Sequence, residues 1–524
     1  MLIGVFALAA VMFTAGINWG LPTSDVDRFL FGSHPRWNGR QIIDLAGGWD
    51  ESSDLGADVA QHPLGGTGMP IVLNATDAQR AQIIRRFRLY SDQPDEMITF
   101  RSLSRMKPGS GDFDPRLFQY GGLWIYPVGV LLKVASMAGI VTLKSDLAYY
   151  LDHPEQFGRF YVLARLYVVA WGLIGVAVVY AIGKEWTEKK FVGLWAALLF
   201  AVMPVVVNTA HEAKPHLPGA VLTLCAVLFA IRYVKSGRRR WWILTGVACG
   251  AAAGMVLTGV VSFAVLPAMV LLSEMPVKQR IGIVAAAAAI GVAVFLLTNP
   301  YLPLDYFFHP EILRSNLGNS GKMYSLGISI SGFENALWLV GQGMSWPLAV
   351  AGGLSVIYLL RRRVLGWVVV APAIVVGIQF LLLAQNKPAE YGRFALMLDV
   401  ALALGIAVAV GSLRSVGLRT VILLAMLYCT GAISLKYVGN FLAPGNRPNG
   451  AATLAQLQRP DRVLTVWSEP APYCLPPVDL FAWKIVLLPP GGDVQEGAVS
   501  VRPDDAFDFT PISWSNKPFE IVLH

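Results

Sequence analysis

Residues 241–273 read WWILTGVACGAAAGMVLTGVVSFAVLPAMVLLS, a run of 33 residues without a charged side chain. A membrane-spanning helix needs only about 20 apolar residues, and this run as one straight helix would be about 50 Å long. Basic turns flank the run at both ends, so both ends are expected on the same side of the membrane. The sequence therefore predicts two short helices that turn near Thr258 and Gly259.

The whole chain shares this apolar character. Its 524 residues are 55% hydrophobic and 15% charged, whereas a soluble protein carries about 25% charged residues. The formal net charge of +8 comes from basic residues in short turns between apolar runs, a pattern that reports membrane orientation. We therefore predict a polytopic integral membrane protein in contact with membrane lipids, and no nucleic-acid partner.

The basic turns also predict which ends of the helices face the cytoplasm, where lysine and arginine concentrate. The turns expected in the cytoplasm are 184–190, 235–240, 278–280, 361–363 and 414–419. The turns expected outside are 211–216, 299–334 and 385–393. If the apolar stretch 119–143 also spanned the membrane, the first helix would have to enter the membrane from the wrong side. We therefore expect it to be an interfacial juxtamembrane helix.

Eleven spans satisfy this alternation. They are 1–20, 160–182, 191–210, 217–234, 241–257, 260–273, 281–299, 335–360, 364–384, 393–412 and 418–436. The predicted fold is thus an all-α polytopic membrane protein with about eleven transmembrane helices and extracytoplasmic juxtamembrane helices. We expect a transmembrane domain at 1–436, which includes a long extracytoplasmic first loop at 21–159. Short alternating runs at 462–467 and 484–488 predict a small extracytoplasmic α/β domain at 437–524.

The long first loop contains the sequence Asp92-Gln93-Pro94-Asp95-Glu96. Asp95 and Glu96 suit the first turn of a helix, where acidic side chains complement the helix dipole. The same two carboxylates are also candidates for acid–base chemistry. Residue types alone leave both interpretations open.

A second polar cluster lies in the turn His211-Glu212-Ala213-Lys214-Pro215-His216. Ionisable groups at a membrane boundary are costly unless they are hydrated or paired, so a functional site at His211, Glu212 and His216 competes with a solvated turn. Because His211 and His216 are five residues apart, they would not share one helical face, and a helical di-histidine metal site is not expected.

Further motifs follow the acidic pair in a definite order. Residues 114–127 read DPRLFQYGGLWIYP, Arg165-Leu166 opens the next predicted span, and residues 193–199 read GLWAALL. With these motifs the chain resembles the GT-C superfamily of membrane glycosyltransferases, in its protein mannosyltransferase and aminoarabinose transferase-like branch. The resemblance covers about residues 80–435.

The resemblance implies transfer of a hexosyl or pentosyl group from a polyprenyl-phosphate donor to a hydroxyl of a protein, lipid or glycan acceptor. Asp95 would accept the proton of that hydroxyl, and Glu96 would orient Asp95 or bind a divalent cation, Mg or Mn. The cations available for the lipid phosphate are Arg159, Arg165, Lys214 and Arg393. Where the family has an aspartate, this chain has His216 or Glu212, which leaves a metal at that turn in doubt. We expect a bacterial cytoplasmic (inner) membrane location with the active site facing outward.

Two other functions remain open. A membrane transporter or lipid-linked sugar flippase would need repeated halves, broken helices and charges near the membrane midplane, where this sequence has essentially Asp399. A noncatalytic envelope-assembly scaffold could share the fold, because a fold does not fix a function.

Overall fold

The computed structural model describes residues 1–47, 69–93, 95–323, 327–328, 330–361, 364–383, 392–443, 446–467, 475–489, 492–503 and 519–524. They form two compact units. Unit 1 comprises Met1–Ile17, Met106–Val128 and Arg165–Gly439. Unit 2 comprises Asn18–Arg105, Gly129–Ala164 and Asn440–His524.

Helices make up most of the chain. The first eleven are α1 (Leu2–Thr14), α2 (Asp27–Leu30), α3 (Gly39–Ala46), α4 (Asp77–Leu89), α5 (Glu96–Arg105), α6 (Gly122–Met137), α7 (Leu147–Asp152), α8 (Pro154–Thr187), α9 (Lys190–Ala201), α10 (Pro204–Ala210) and α11 (His216–Ser236). The others are α12 (Arg239–Met255), α13 (Val265–Ala268), α14 (Val277–Thr298), α15 (Tyr301–Phe308), α16 (Pro310–Met323), α17 (Ile330–Met344), α18 (Trp346–Leu360), α19 (Val364–Leu383), α20 (Leu396–Gly411), α21 (Val416–Leu442) and α22 (Asn446–Leu457).

Five of the described helices are long and apolar enough to cross a membrane, namely α8, α11, α14, α19 and α21. Two further pairs of helices could each form one bent span, namely α9 with α10 and α17 with α18. The number of spans is then seven. The predicted integral, multi-pass membrane protein is therefore confirmed. The number of eleven spans stays a prediction.

Two stretches predicted as single spans are broken helices. The axes of α9 and α10 differ by 59°, and Pro204 is the first residue of α10, where its missing N–H costs no helical hydrogen bond. The axes of α17 and α18 differ by 109°. Between them Ser345 has φ +77°, a left-handed backbone conformation that a serine seldom adopts.

The apolar run 241–273 reverses where the sequence predicts a turn. Helix α12 ends at Met255, and a 3-10 helix, Leu257–Ala264, follows. Ser262 Oγ donates to Cys249 O at 3.3 Å, so this segment packs back against α12. A Cβ on Gly259 would lie 2.1 Å from Ala252 O, so only glycine fits this close approach.

Unit 2 contains a five-stranded sheet with strand order β1-β3-β2-β4-β5. Its strands are β1 (Ile71–Val72), β2 (Val463–Val466), β3 (Lys484–Leu487), β4 (Val499–Pro503) and β5 (Phe519–Leu523). Strand β2 pairs in parallel with β3 and β4, whereas the outer pairs β1–β3 and β4–β5 are antiparallel. The predicted sheet near the C-terminus is confirmed. Its edge strand β1, however, comes from the long first loop.

Asn74 fixes this edge of the sheet from within. Its Nδ2 donates to Leu480 O at 2.8 Å and to Trp483 O at 2.7 Å, and its Oδ1 accepts from Ile485 N at 2.9 Å. The side chain is buried. Each lost partner would leave a buried backbone group without its hydrogen bond, which costs free energy.

We expect Asn74→Ala to lower the free energy of unfolding of unit 2 by about 2–4 kcal/mol, because it orphans three backbone groups. Limited proteolysis and the thermal unfolding midpoint of the purified protein measure the effect. Asn38→Ala is the matched control, since the exposed Asn38 caps α3 and its loss should cost only about 1 kcal/mol. Equal losses in the two variants would contradict the anchoring role of Asn74.

Candidate active site

The acidic pair lies at the beginning of α5 in unit 2. Glu96 is the first residue of the helix and is 0% exposed, and its carboxylate accepts a hydrogen bond from Ser91 Oγ. Asp95 precedes it and is partly exposed, and its backbone N–H donates to Gln93 Oε1 at 3.4 Å. The sequence interpretation of a helix that begins here is correct, and Pro94 lies outside the described residues. Of the two carboxylates, Asp95 is the more accessible to a substrate.

The segment that bears Asp95 is held by backbone contacts. Asp92 N donates to Gly20 O at 2.8 Å. Gly20 has φ +59°, and a Cβ there would lie 2.5 Å from Asp92 Cβ. The hydroxyl of Tyr161 donates to Leu89 O at 2.8 Å at the end of α4. A carboxylate on such a restrained segment is positioned by the protein scaffold, as a catalytic group requires.

Arg159 lies on the exposed side of α8 in unit 2. Its Nη1 donates to Ile140 O at 3.0 Å, so the guanidinium fixes the segment that follows α6. Its other donors leave it able to bind an anion as well. The predicted contact with a lipid phosphate stays a prediction.

Arg165 and His211 both bind the end of α1 in unit 1. Arg165 is fully buried, and its Nη1 donates to Ile17 O at 2.7 Å. His211 Nε2 lies 2.9 Å from Ala15 O, and its Nδ1 lies 2.8 Å from Val207 O. The Arg165 contact satisfies the Ile17 carbonyl in the turn after α1, and a neutral His211 donates to one of its two carbonyl neighbours, Ala15 O at the end of α1 or Val207 O. Both predicted site residues therefore have an anchoring role in the structure.

The charge state of His211 follows from its surroundings. Burial, with a smaller contribution from the nearby Arg165 charge, lowers the pKa of His211 to about 4, against the two carbonyl contacts that raise it. The imidazole is therefore neutral at pH 7, and only one of its two ring nitrogens can donate to a carbonyl.

This lowered pKa predicts an acid-sensitive fold. Unfolded histidine has a pKa of about 6.5, so between about pH 6.5 and pH 4 the unfolded chain binds more protons than the folded chain. The contribution of neutral His211 to the free energy of unfolding is therefore complete above pH 6.5. It falls by up to about 3 kcal/mol as the pH drops toward 4. We expect His211→Gln to flatten the decline of the thermal unfolding midpoint between pH 7 and 5. The exposed His153→Gln control should keep the wild-type slope, and an unchanged slope in His211→Gln would exclude His211 as its cause.

Glu212 and Lys214 form a buried ion pair in the turn between α10 and α11. Lys214 Nζ lies 3.4 Å from Glu212 Oε2, and Asn208 Nδ2 donates to Glu212 Oε1 at 3.2 Å. Both charged side chains are almost fully buried. Removing one partner of such a pair leaves an uncompensated buried charge, which is strongly destabilising. The turn is thus packed rather than solvated, and a role for Lys214 in phosphate binding stays a prediction.

Two other predicted site residues of unit 1, His216 and Arg393, line one pocket. His216 begins α11, and Arg393 lies in the 3-10 turn Gly392–Phe394 that precedes α20. The pocket has an empty volume of about 420 Å³ including its open mouth. The His216 ring packs edge-on at 5.7 Å from the Phe394 ring and 6.0 Å from the Tyr120 ring. The structure thus brings together a cation and an imidazole that the sequence separates by 177 positions.

The walls of this pocket are mainly apolar. Its other polar side chains are Thr223, Thr258 and Gln379, and its apolar side chains include Val256, Val376, Leu396 and Met397. A pocket with one cation, a few hydrogen-bonding groups and apolar walls suits a ligand that has an anionic head and an apolar chain.

The sequence interpretation missed the three neutral polar residues of the pocket. For Thr223 a signal existed, because Thr223 follows His216 by seven positions and therefore lies on the same face of α11. No comparable signal identifies Gln379, which lies inside the apolar helix α19.

A divalent cation is predicted at Glu96 and left in doubt at the turn that bears Glu212 and His216. Within the described ranges, no group of three or more His, Cys, Asp or Glu side chains is placed to hold a metal ion. A Mg or Mn ion at Glu96 stays a prediction, since such ions often use only one or two carboxylates plus water.

The sequence and the structure have similarities to known proteins. The family model of dolichyl-phosphate-mannose-protein mannosyltransferase matches residues 157–299. No curated protein sequence matches the chain significantly. The solved structure of ArnT from Cupriavidus metallidurans bound to undecaprenyl phosphate is 16% identical, with a TM-score of 0.49, over 82% of this chain and 93% of that chain.

A second solved structure is that of the Archaeoglobus fulgidus oligosaccharyltransferase. It is 13% identical with a TM-score of 0.40, and the match covers 65% of this chain and less than half, 46%, of that chain. The family match at 157–299 includes Arg165, His211, Glu212, Lys214 and His216. The predicted resemblance of this chain to the membrane glycosyltransferases of the GT-C superfamily is thereby confirmed.

Proposed function

We propose that the protein transfers a sugar from a polyprenyl-phosphate donor to an acceptor hydroxyl on the extracytoplasmic face of the membrane. The observation that carries the proposal is the pocket of unit 1, where Arg393 and His216 meet largely apolar walls. The family match supports the donor class, because that family is described by a lipid-phosphate-linked mannose donor. The sugar and the acceptor, whether protein, lipid or glycan, stay open.

Arg393 is assigned to the phosphate of the donor. When the bond between the sugar and the phosphate breaks, negative charge develops on the leaving lipid phosphate, and a cation held nearby stabilises it. A guanidinium offers planar, paired donors that match a phosphate better than an ammonium does. The apolar side chains of the same pocket, among them Val256 and Leu396, would contact the first units of the polyprenyl chain.

Asp95 is assigned to the acceptor. A hydroxyl is a weak nucleophile, and a carboxylate that accepts its proton as the anomeric carbon is attacked raises the rate. The partial exposure of Asp95 and the restraint of its segment by Gly20 and Tyr161 support this role. Glu96, which follows Asp95 as the buried first residue of α5, would orient the segment. A single displacement of this kind inverts the anomeric configuration.

The test is to incubate the purified full-length protein with a panel of polyprenyl-phosphate sugars and to detect free polyprenyl phosphate by mass spectrometry. Consumption of one donor, with release of its lipid phosphate, is the expected result. If the folded protein consumes none of the donors, with or without an added divalent cation, the catalytic proposal is wrong.

Transport of a lipid-linked sugar is the second candidate, and one observation favours it. Asp399 is fully buried in α20, and neither of its carboxyl oxygens has a hydrogen-bond partner among the described residues. A Cβ on Gly343, beside the break between α17 and α18, would lie 2.4 Å from Asp399 Oδ2. Discontinuous helices, and acidic side chains buried within spans, are both common in transporters. A transporter would move labelled lipid between leaflets of vesicles in response to an ion gradient, which a glycosyltransferase would not do.

A further inference from the structure

Basic residues concentrate at the beginnings of α12 and α14 in unit 1. They are Arg238, Arg239, Arg240, Lys278 and Arg280. Between positions 238 and 280 the sequence contains one acidic residue, Glu274. The three consecutive arginines and Lys278 are exposed. The beginnings of these two helices therefore carry an excess of positive charge on the surface of the protein.

Helices α12 and α14 lie side by side and run in the same direction. A Cβ on Gly246 would lie 2.4 Å from Ala287 O, and a Cβ on Gly250 would lie 2.1 Å from Gly291 O. Small residues allow two helix backbones to approach this closely. Both contacts join residues that are 41 positions apart, so the two helices advance together. Their basic beginnings therefore lie at the same end of the pair.

The end of α11 contacts both of these beginnings. The Arg232 guanidinium lies 4.8 Å from the Trp241 ring of α12. The next residue of α11, Tyr233, donates from its hydroxyl to Met275 Sδ at 3.9 Å. Met275 O in turn accepts from Arg280 Nε of α14 at 2.8 Å. Because two consecutive residues of α11 reach both sides, the basic residues of α12 and α14 form one surface.

The carboxylates beside this surface are paired with other cations. Glu185 Oε1 accepts from Arg232 Nε at 2.9 Å and from Arg232 Nη2 at 2.6 Å. Glu188 pairs with Lys235 at 3.0 Å. Neither α12 nor α14 has an acidic residue in its first turn, where a carboxylate would complement the helix dipole. The exposed cations therefore attract an anion from outside the chain.

An apolar surface begins directly beside these cations. On α14, Val277 is 66% exposed and Ile281 is 62% exposed, and only 11% of the residues in the apolar window of this span are buried. On α12, Trp241 and Trp242 are half-buried, and the Arg240 guanidinium lies 4.6 Å from the Trp241 ring. Tryptophan is typical of the boundary between membrane and water. Cations, tryptophan rings and an exposed apolar helix match the headgroup, the boundary and the acyl chains of a lipid.

We propose that this surface binds an anionic phospholipid, with its phosphate at residues 238–240 and Lys278 and its acyl chains along α14. Guanidinium groups suit a phosphate because they offer paired donors. The ammonium group of a zwitterionic lipid is repelled by the same cations, so the surface selects for net negative charge. The site is separate from the pocket of Arg393. Val256 of that pocket follows the opposite end of α12, a helix of 17 residues and thus about 25 Å long.

Native mass spectrometry of the full-length protein in detergent with equal amounts of phosphatidylglycerol and phosphatidylcholine tests the proposal. We expect the wild type to retain phosphatidylglycerol preferentially. The ratio of the two bound lipids should fall about 5-fold in Arg239→Gln, which is the usual contribution of one basic residue near an anionic membrane surface. It should fall at least about 10-fold when all three arginines at 238–240 are changed to Gln. Arg239→Lys keeps the charge and should keep most of the preference.

The matched control changes three exposed arginines of unit 2 to Gln, namely Arg28, Arg36 and Arg40, and should keep the wild-type ratio. Thermal unfolding midpoints identify any variant that fails to fold, and Lys278→Gln then decides in its place. Equal retention of the two lipids by the wild type, or an unchanged ratio in the folded triple variant at 238–240, would overturn the proposal. Displacement of the lipid by excess inorganic phosphate would also overturn it, because the surface would then bind the free anion. The assay contains no sugar donor, so its outcome is independent of the proposed sugar transfer.

Discussion

Asp95→Asn is expected to lower the rate of lipid-phosphate release by about 10²- to 10⁴-fold, which is the usual contribution of a general base. Asparagine has nearly the same shape as aspartate, but its amide cannot take the proton of the acceptor hydroxyl. The backbone contact from Asp95 N to Gln93 Oε1 is retained in the variant, and its thermal unfolding midpoint shows whether the segment stays folded. Single-turnover release of polyprenyl phosphate from the donor that the wild type consumes measures the effect.

Asp77→Asn is the matched control for this prediction. Asp77 lies in the same unit, begins α4 and pairs with Arg80 at 2.6 Å at the surface, so the same chemical change there should leave the rate unaltered. A wild-type rate in a folded Asp95→Asn protein would show that another group accepts the proton. Loss of rate accompanied by loss of folding would instead assign Asp95 to the stability of its segment.

Asp95 gives a cleaner test than Glu96 because their surroundings differ. Glu96 is 0% exposed and accepts a hydrogen bond from Ser91, so Glu96→Gln changes a buried contact as well as a charge. A buried group left with an unsuitable partner costs about 1–3 kcal/mol. Activity and stability would then fall together, and the two causes could not be separated.

The membrane character of the chain was predictable because it depends on local composition. The turn in 241–273 followed from length and flanking charge, and the structure places a helix end at Met255. The 109° break at Ser345 was missed because residues 335–360 carry no charge that would interrupt a span, although Pro347 in the first turn of α18 is a signal for the beginning of a helix. The break depends on a left-handed backbone conformation at a serine, which tertiary packing imposes and composition does not report.

The edge strand of the sheet shows a second limit. Ile71 and Val72 pair with Leu487 and Val486, more than 400 positions later in the chain. Two residues carry no usable periodicity, and a strand so short is defined by its partner. The buried amide of Asn74 stabilises this pairing, although its sequence context reads as an ordinary polar loop.

The candidate site was predictable as far as it depends on charge. His216 and Arg393 were selected because ionisable residues at membrane boundaries are expensive, and the structure places both in one pocket. The same criterion selected Arg165 and His211, which bind carbonyl groups at the end of α1. Charge in an apolar sequence therefore marks positions that need a partner. Whether that partner is a ligand or a helix end is decided by the fold.

Arg393→Ala is expected to weaken binding of polyprenyl phosphate and to raise the KM for the donor by about 10- to 150-fold. This range corresponds to the loss of about 1.5–3 kcal/mol from hydrogen bonds between charged groups. Arg393→Lys keeps the charge but loses the planar pair of donors, so its effect should lie between those of the wild type and the alanine variant. Native mass spectrometry of the protein with polyprenyl phosphate measures binding without any requirement for an acceptor.

Arg419→Ala provides the control, because it changes the same side chain in the same unit at a distance from the pocket. The Arg419 guanidinium lies 4.6 Å from the Phe191 ring, as that of Arg393 lies 5.2 Å from the Phe394 ring. If stacking on an aromatic ring were the main role of Arg393, the two variants would lose stability equally and neither would lose lipid binding. If Arg393 holds the phosphate, only its own variants lose affinity, and added salt weakens the wild type more than Arg393→Ala, because screening acts on the charge that the variant lacks.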